Sequence, residues 1–214
     1  MGKQYYFAVL CLALILSACT SVHAPSGFLG DYSHFSEEKG EHFRQEYVAE
    51  GVDLTKYTKA KVNPVELKYF ENAAGTFTED DSNYLASRLQ ESLEAELANK
   101  YQVLGPAERP DERTLVVSPA LVYVKMPERL LNVATAWLIG FQFSKGAAAF
   151  EAKLTDGGSG KELALVTEQR KSGGGIKDIK SILIGGFFKF MHAEGAFKRW
   201  GQNFVDLGTP ESTS

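Results

Sequence analysis

The chain has 214 residues, 44% of them apolar and 12% aromatic, with 27 acids against 23 bases and a formal charge of −4. That much apolar side chain builds a folded core and excludes a disordered chain. The acidic balance lacks the basic face that binding to phosphate backbones requires, so no nucleic-acid partner is expected.

The first residues have the layout of an export signal. Met1–Gln4 carries one positive charge, Lys3, and Tyr5–Leu16 is then apolar without a break. Crossing the hydrocarbon core takes about 20 apolar residues, so this run suits the middle region of a signal peptide rather than a spanning helix. It ends in Leu16-Ser17-Ala18-Cys19, which resembles the lipobox of bacterial lipoproteins. The resemblance implies a diacylglyceryl group on the Cys19 thiol, cleavage before Cys19, and acylation of the amine so freed. Thr20 in place of Asp implies, by the enterobacterial sorting scheme, the outer membrane rather than the inner. Cys11 leaves with residues 1–18 and Cys19 carries lipid, so the mature chain has no thiol for a nucleophile, a disulfide or a zinc site. Losing one base and no acids leaves a mature balance of −5.

Residues 19–26 are small, polar and Pro-containing, a tether between lipid and domain. Ser26-Gly27-Phe28-Leu29-Gly30-Asp31-Tyr32-Ser33 is unusual for a linker because of its two aromatics and a Leu. The stretch resembles the opening motif of a bacterial lipoprotein family known only as a domain of unknown function, whose members begin Ser-Gly-Phe-Leu-x-Asp-Tyr-Ser soon after the lipidated Cys. Physically, Phe28, Leu29 and Tyr32 are expected to dock onto the body and end the tether, and nothing in the motif is poised for chemistry.

Beyond the motif, 57–70 reads as a strand with Ala60 and Val62 facing one way and Lys59 and Lys61 the other. Pro64, which has no N–H to donate, predicts a bulge or an edge there. Thr78-Glu79-Asp80-Asp81 is a helix start, with a capping residue and a carboxylate three positions on. Leu85, Leu89, Leu93 and Leu97 then repeat every four residues. A short strand at 101–104 and a Pro-rich loop at 105–113 lead to a nearly continuous apolar run, 114–124, as in a strand covered on both faces. Residues 148–155 alternate with Phe150 and Leu154 inward, 156–161 turn, and 163–170 return as the partner strand. Phe190, Ala193, Phe197, Trp200, Phe204 and Leu207 fall on one helical face, which Gly195 and Gly201 weaken. The hairpin and closing helix are also similar to the same family.

Between these elements lies 130–143, whose apolar arc is wider than one sheet contact needs. Glu128, Asn132, Thr135 and Gln142 form a polar stripe interrupted by Ile139. Three readings stand: a core helix sandwiched by 182–191, a helix in the lipid interface, or a partner surface centred on Trp137 with Leu138 and Phe141.

The search for chemistry is thin. Ser159-Gly160-Lys161 looks like the end of a phosphate loop, but Glu162 stands where Ser or Thr must hold magnesium. His23, His34, His42 and His192 have no metal-ligand spacing, and no Gly-x-Ser-x-Gly elbow occurs. No catalytic, cofactor or metal residue is therefore assigned. The expected fold is one α/β (α+β) domain over 27–208, with a mixed sheet of four to five strands packed by two amphipathic helices and a disordered tail at 209–214. The expected function is an outer-membrane lipoprotein, its domain in the periplasm, acting as a non-catalytic binding or assembly component with the membrane and an envelope protein as partners. The rivals are a periplasmic hydrolase and a module that binds a lipid or cell-wall fragment. The start of the domain also resembles, loosely, envelope accessory lipoproteins that attach to secretion or transport machinery.

Overall fold

The computed structural model describes residues 25–36, 39–72, 77–125, 147–171 and 191–209. Cys19 and the whole of 130–143, with Trp137, Leu138 and Phe141, lie outside them. The described residues form one mixed α+β domain. Its strands are β1 (Gln45–Val48), β2 (Lys59–Val62), β3 (Gln102–Val103), β4 (Thr114–Lys125), β5 (Ala147–Asp156) and β6 (Glu162–Lys171). Two helices, α1 (Glu79–Leu97) and α2 (Met191–Leu207), complete it.

The sheet order is β1-β6-β5-β4-β2-β3. β2 runs parallel to β3 and β4, and β4-β5-β6-β1 is antiparallel throughout. Six strands are present among the described residues, against four to five expected. The additional strand is β1, whose sequence Gln-Glu-Tyr-Val carries no alternating apolar signal and pairs only at the sheet edge.

Local chemistry accounts for the elements that the sequence marked. Thr78 caps α1: its hydroxyl accepts from Asp81 N at 3.1 Å while the Asp81 carboxylate accepts from Thr78 N at 2.9 Å, which satisfies two orphan donors at the helix start. Leu85, Leu89, Leu93 and Leu97 are fully buried against one face of the sheet. At Pro64 the ladder between β2 and β4 breaks after Val62 and resumes as single bridges from Glu66 to Ala120 and from Glu71 to Tyr123. A bulge in β4 between Leu121 and Tyr123 shifts its register with β5.

The core lies between the sheet and the helices. Trp200 of α2 stacks on Phe150 of β5 with centroids 4.3 Å apart, and Phe43 meets Phe204 at 4.8 Å. Asn203 donates to the His42 carbonyl, tying α2 to the chain ahead of β1. Past the end of α2, Thr209 donates its N–H to Asp206 O and its hydroxyl accepts from Lys100.

The two glycines of α2 have different surroundings. A Cβ on Gly201 would lie 2.6 Å from Glu96 Cβ and 3.2 Å from Ser92 O, so this glycine permits the close approach of α1. A Cβ on Gly195 would meet nothing within 4 Å. Replacing a helical Gly by Ala gains about 0.8–1 kcal/mol of propensity. Gly195→Ala is therefore expected to stabilise the protein by up to about that amount, and Gly201→Ala to destabilise it because the packing strain exceeds the gain. Urea unfolding of the two variants checks the sign; equal stabilisation by both would mean that the helices separate at Gly201 without cost.

Candidate functional site

On β5 the side chains of Phe150, Ala152 and Leu154 enter the core beneath the helices, so strict alternation sends Glu151 to the other face of the sheet. There it stands between Ala120 of β4 and Thr167 of β6. Glu151 is not solvated, however: only 4% of its surface is exposed. A carboxylate taken out of water needs hydrogen-bond donors, and these come from the opening motif, well over a hundred residues earlier in the chain.

Ser26 donates its backbone N–H to Glu151 Oε1 at 3.3 Å and its hydroxyl to Oε2 at 2.8 Å. The Tyr32 hydroxyl donates to Oε2 at 2.7 Å. In return, Tyr32 Oη accepts from Gly27 N at 2.9 Å, and Ser26 Oγ accepts from Phe28 N at 3.1 Å. Gly27 at φ +91° and Gly30 at φ +83° supply the left-handed backbone that folds the strap back, so that Ser26 and Tyr32 reach one carboxylate. Burial, with the neighbouring Glu151 adding to it, pushes the Tyr32 pKa above its ordinary value of 10.0, which keeps the hydroxyl a donor.

The rest of the motif also serves this clasp. Leu29 is buried. Phe28 packs edge-on against Tyr69 at 5.7 Å, with Lys153 Nζ 5.3 Å from its ring centre. Asp31 accepts from Ser33 N at 2.8 Å. His34 stacks on Tyr47 of β1 at 4.4 Å, which carries the strap across to the sheet edge. Phe28, Leu29 and Tyr32 thus dock as expected, and the docked part already begins at Ser26.

Beside the clasp is a cleft of about 260 Å³ between Tyr32 and Phe35 of the strap and Ala149, Glu151 and Thr167 of the sheet, with Arg44 in its wall. It falls just below the usual size range for ligand pockets of about 300–1,000 Å³.

The segment that looked like a phosphate loop is a hairpin turn. Asp156 accepts from Gly158 N, Ser159 N and Ser159 Oγ through Oδ1 and from the Tyr57 hydroxyl through Oδ2. Gly160 takes φ +72°. A Cβ on Gly157 would lie 2.7 Å from Asp111 O, so the Pro-rich loop packs directly on the turn. Among the described residues no group of three or more His, Cys, Asp or Glu converges as metal ligands. His34 stacks on Tyr47 and His42 is held through its backbone by Glu46 and Asn203, and the side chain of His192 lies outside the described part.

Such an arrangement defines a class: a single α+β domain whose sheet is closed on one face by two helices and clasped on the other by its own N-terminal strap. The chain belongs to the DUF3313 family, described as proteins of unknown function, whose family model matches residues 24–204. No curated protein matches the chain. Among solved structures it is similar to the PelC dodecamer from Paraburkholderia phytofirmans, at 14% identity and a TM-score of 0.40, over 74% of this chain and 94% of that one. It is also similar to the hypothetical protein CT253 from Chlamydia trachomatis, at 11% identity and a TM-score of 0.40, over 71% and 96% of the two chains. A DUF4136 family protein from Bacteroides thetaiotaomicron follows at 12% identity and a TM-score of 0.34, over 76% and 93%. Likenesses of this degree carry no argument about assembly or function.

The clasp can be tested on its own. Tyr32→Phe removes one donor to a buried carboxylate and the acceptor of Gly27 N, and hydrogen bonds to charged groups are worth about 1.5–3 kcal/mol. A loss of that order in unfolding free energy is expected, together with faster trypsin cleavage at Lys39. Unchanged values for both would show that the strap is held by its apolar contacts alone.

A second test concerns pH. Hydrogen bonds from Ser159 and Tyr57 hold Asp156 at about 2, and the Lys59 ammonium with the Thr114 hydroxyl holds Asp111 at about 2, both below the ordinary 3.8. A folded-state pKa below the unfolded one contributes stability at higher pH that is lost as pH falls through the folded value. Stability is therefore expected to drop between about pH 4 and pH 2, and Asp156→Asn to flatten that part of the curve in melts taken across the range.

Proposed function

We propose that this protein is an exported lipoprotein, acylated on Cys19 and anchored in the outer membrane. Its domain, in the periplasm, serves as a non-catalytic binding or assembly component of the envelope. The observation that carries the proposal is the use to which the opening motif is put. Seven residues after the lipobox cysteine, Ser26 starts a strap whose polar groups are spent on a structural carboxylate. A segment built this way ends a tether and fixes a domain to it.

The membership of 24–204 in a family of unknown function is consistent with this reading and adds no reaction to it. Among the described residues, the groups whose pKa values are displaced furthest, Tyr57, Tyr101, Asp111 and Asp156, serve the turn and the core rather than the cleft. The partner surface is assigned to Trp137, Leu138 and Phe141, on the strength of their sequence pattern.

A second reading, a module that binds a small lipid or cell-wall fragment, is favoured by the cleft at Tyr32, Phe35 and Arg44. The anchor separates the proposal from a soluble periplasmic protein. Cys19→Ser is expected to abolish the acyl mass on the N-terminal peptide, to move the protein out of the membrane fraction, and to remove the crosslinked adducts expected of the wild type in cells. An unmodified Cys19 peptide from wild-type cells would sink the proposal.

A further inference from the structure

We infer that the clasp orients the domain on the membrane, with the surface formed by Phe28, Tyr69, Lys68 and Lys153 against the lipid headgroups and the two helices turned away; this rests on lipidation at Cys19. The argument begins with chain length. From Cys19 to Ser26 is seven residues, which fully extended reach at most about 25 Å. Ser26 is not a free end, because its backbone and hydroxyl are bonded to Glu151. The tether therefore departs from the face of the sheet opposite the helices.

To bring the outer side of the helices to the bilayer, the tether would first have to round an edge of the sheet. Glu151 lies on β5, two strands in from the nearer edge at β1, a distance of about 10 Å at the usual strand spacing. A further 15 Å or so is needed to pass the helix layer, given a helix about 10 Å across. That consumes the entire reach and leaves nothing for the headgroup region. The strap side is reached with almost none of it.

The chemistry of the near surface fits the placement. Phe28 and Tyr69 are half-buried and meet edge to face. Lys153 and Lys68 lie 5.3 Å and 5.4 Å from the centres of their respective rings. Aromatic rings favour the level of the headgroups, and ammonium groups beside them are drawn to anionic lipid. Without the clasp the free chain would extend to about Glu41, where Glu46 and Asn203 hold the backbone, 22 residues from Cys19 and a reach of about 75 Å that imposes no orientation.

The experiment uses the full lipidated protein in vesicles of phosphatidylethanolamine and phosphatidylglycerol that contain an energy-transfer acceptor lipid. Glu66→Cys, exposed and paired with Ala120 on the strap side of the sheet, and Lys198→Cys, on the exposed side of α2, are labelled with the same donor. Position 66 is expected to transfer several-fold more strongly than position 198, and the difference should collapse when Ser26→Ala and Tyr32→Phe are combined in protein that circular dichroism shows to be folded. Equal transfer from the two positions, with the acyl group on Cys19 confirmed by mass, would overturn the orientation and leave lipidation standing. A difference that survives release of the strap would overturn the role of the clasp. Absence of the acyl group would overturn the underlying reading itself.

Discussion

A sheet has two faces, and in this protein α1 and α2 lie on only one of them. The second face of β4 and β5 carries Val116, Ala120, Val122, Ala149 and Glu151, all nearly inaccessible to solvent. Something must keep that face dry and also answer the carboxylate in its midst. The strap answers the carboxylate, Ser26 and Tyr32 donating to Glu151, and adds buried Leu29 and, against Tyr69, Phe28 to that side. Apolar cover alone is non-directional and tolerates sliding. A buried carboxylate does not, because a strap shifted by one residue would leave it without donors at a cost of several kcal/mol. Glu151 therefore selects one register for a segment that has no ladder of its own.

The same logic appears at the sheet edge. Glu46 of β1 accepts from the backbone N–H groups of Glu41, His42 and Phe43, and buried Glu168 of β6 accepts from Arg44 N at 3.1 Å. The connection from strap to β1 thus crosses from one face of the sheet to the other, with carboxylates satisfying backbone donors that no strand could pair. Phe43 then enters the helix-side core beside Phe204.

What could be read from the sequence was whatever depends on neighbours in sequence. The capping box at Thr78 and Asp81, the leucine stripe of α1, the turn at Asp156 and the inward side chains of β5 are all set within a few residues, and each is where the pattern puts it. The docking of Phe28, Leu29 and Tyr32 was legible as well, because aromatic side chains in a tether have few other uses. What they dock to was not. Glu151, in an alternating strand, reads as a solvent-facing position, and its burial follows from a partner 125 residues away. β1 leaves no signal in the sequence for a related reason: an edge strand with one neighbour needs no apolar alternation, and its polar side chains bond to the adjoining loop. Gly201 reads as a helix weakness until α1 is brought against it.

The clasp also shows how a motif with two glycines, two aromatics and a serine can mark the start of a domain. Its carboxylate is engaged from both oxygens, and its hydroxyls each donate to that carboxylate and accept a strap N–H. Geometry of this kind gives the chain a fixed point of departure on the sheet at Ser26. On the lipoprotein reading, the position of Ser26 relative to Cys19 then becomes a mechanical quantity. Each residue added to or removed from the tether changes by about 3.5 Å how far the sheet can stand from the membrane, and the clasp decides which face stands nearest.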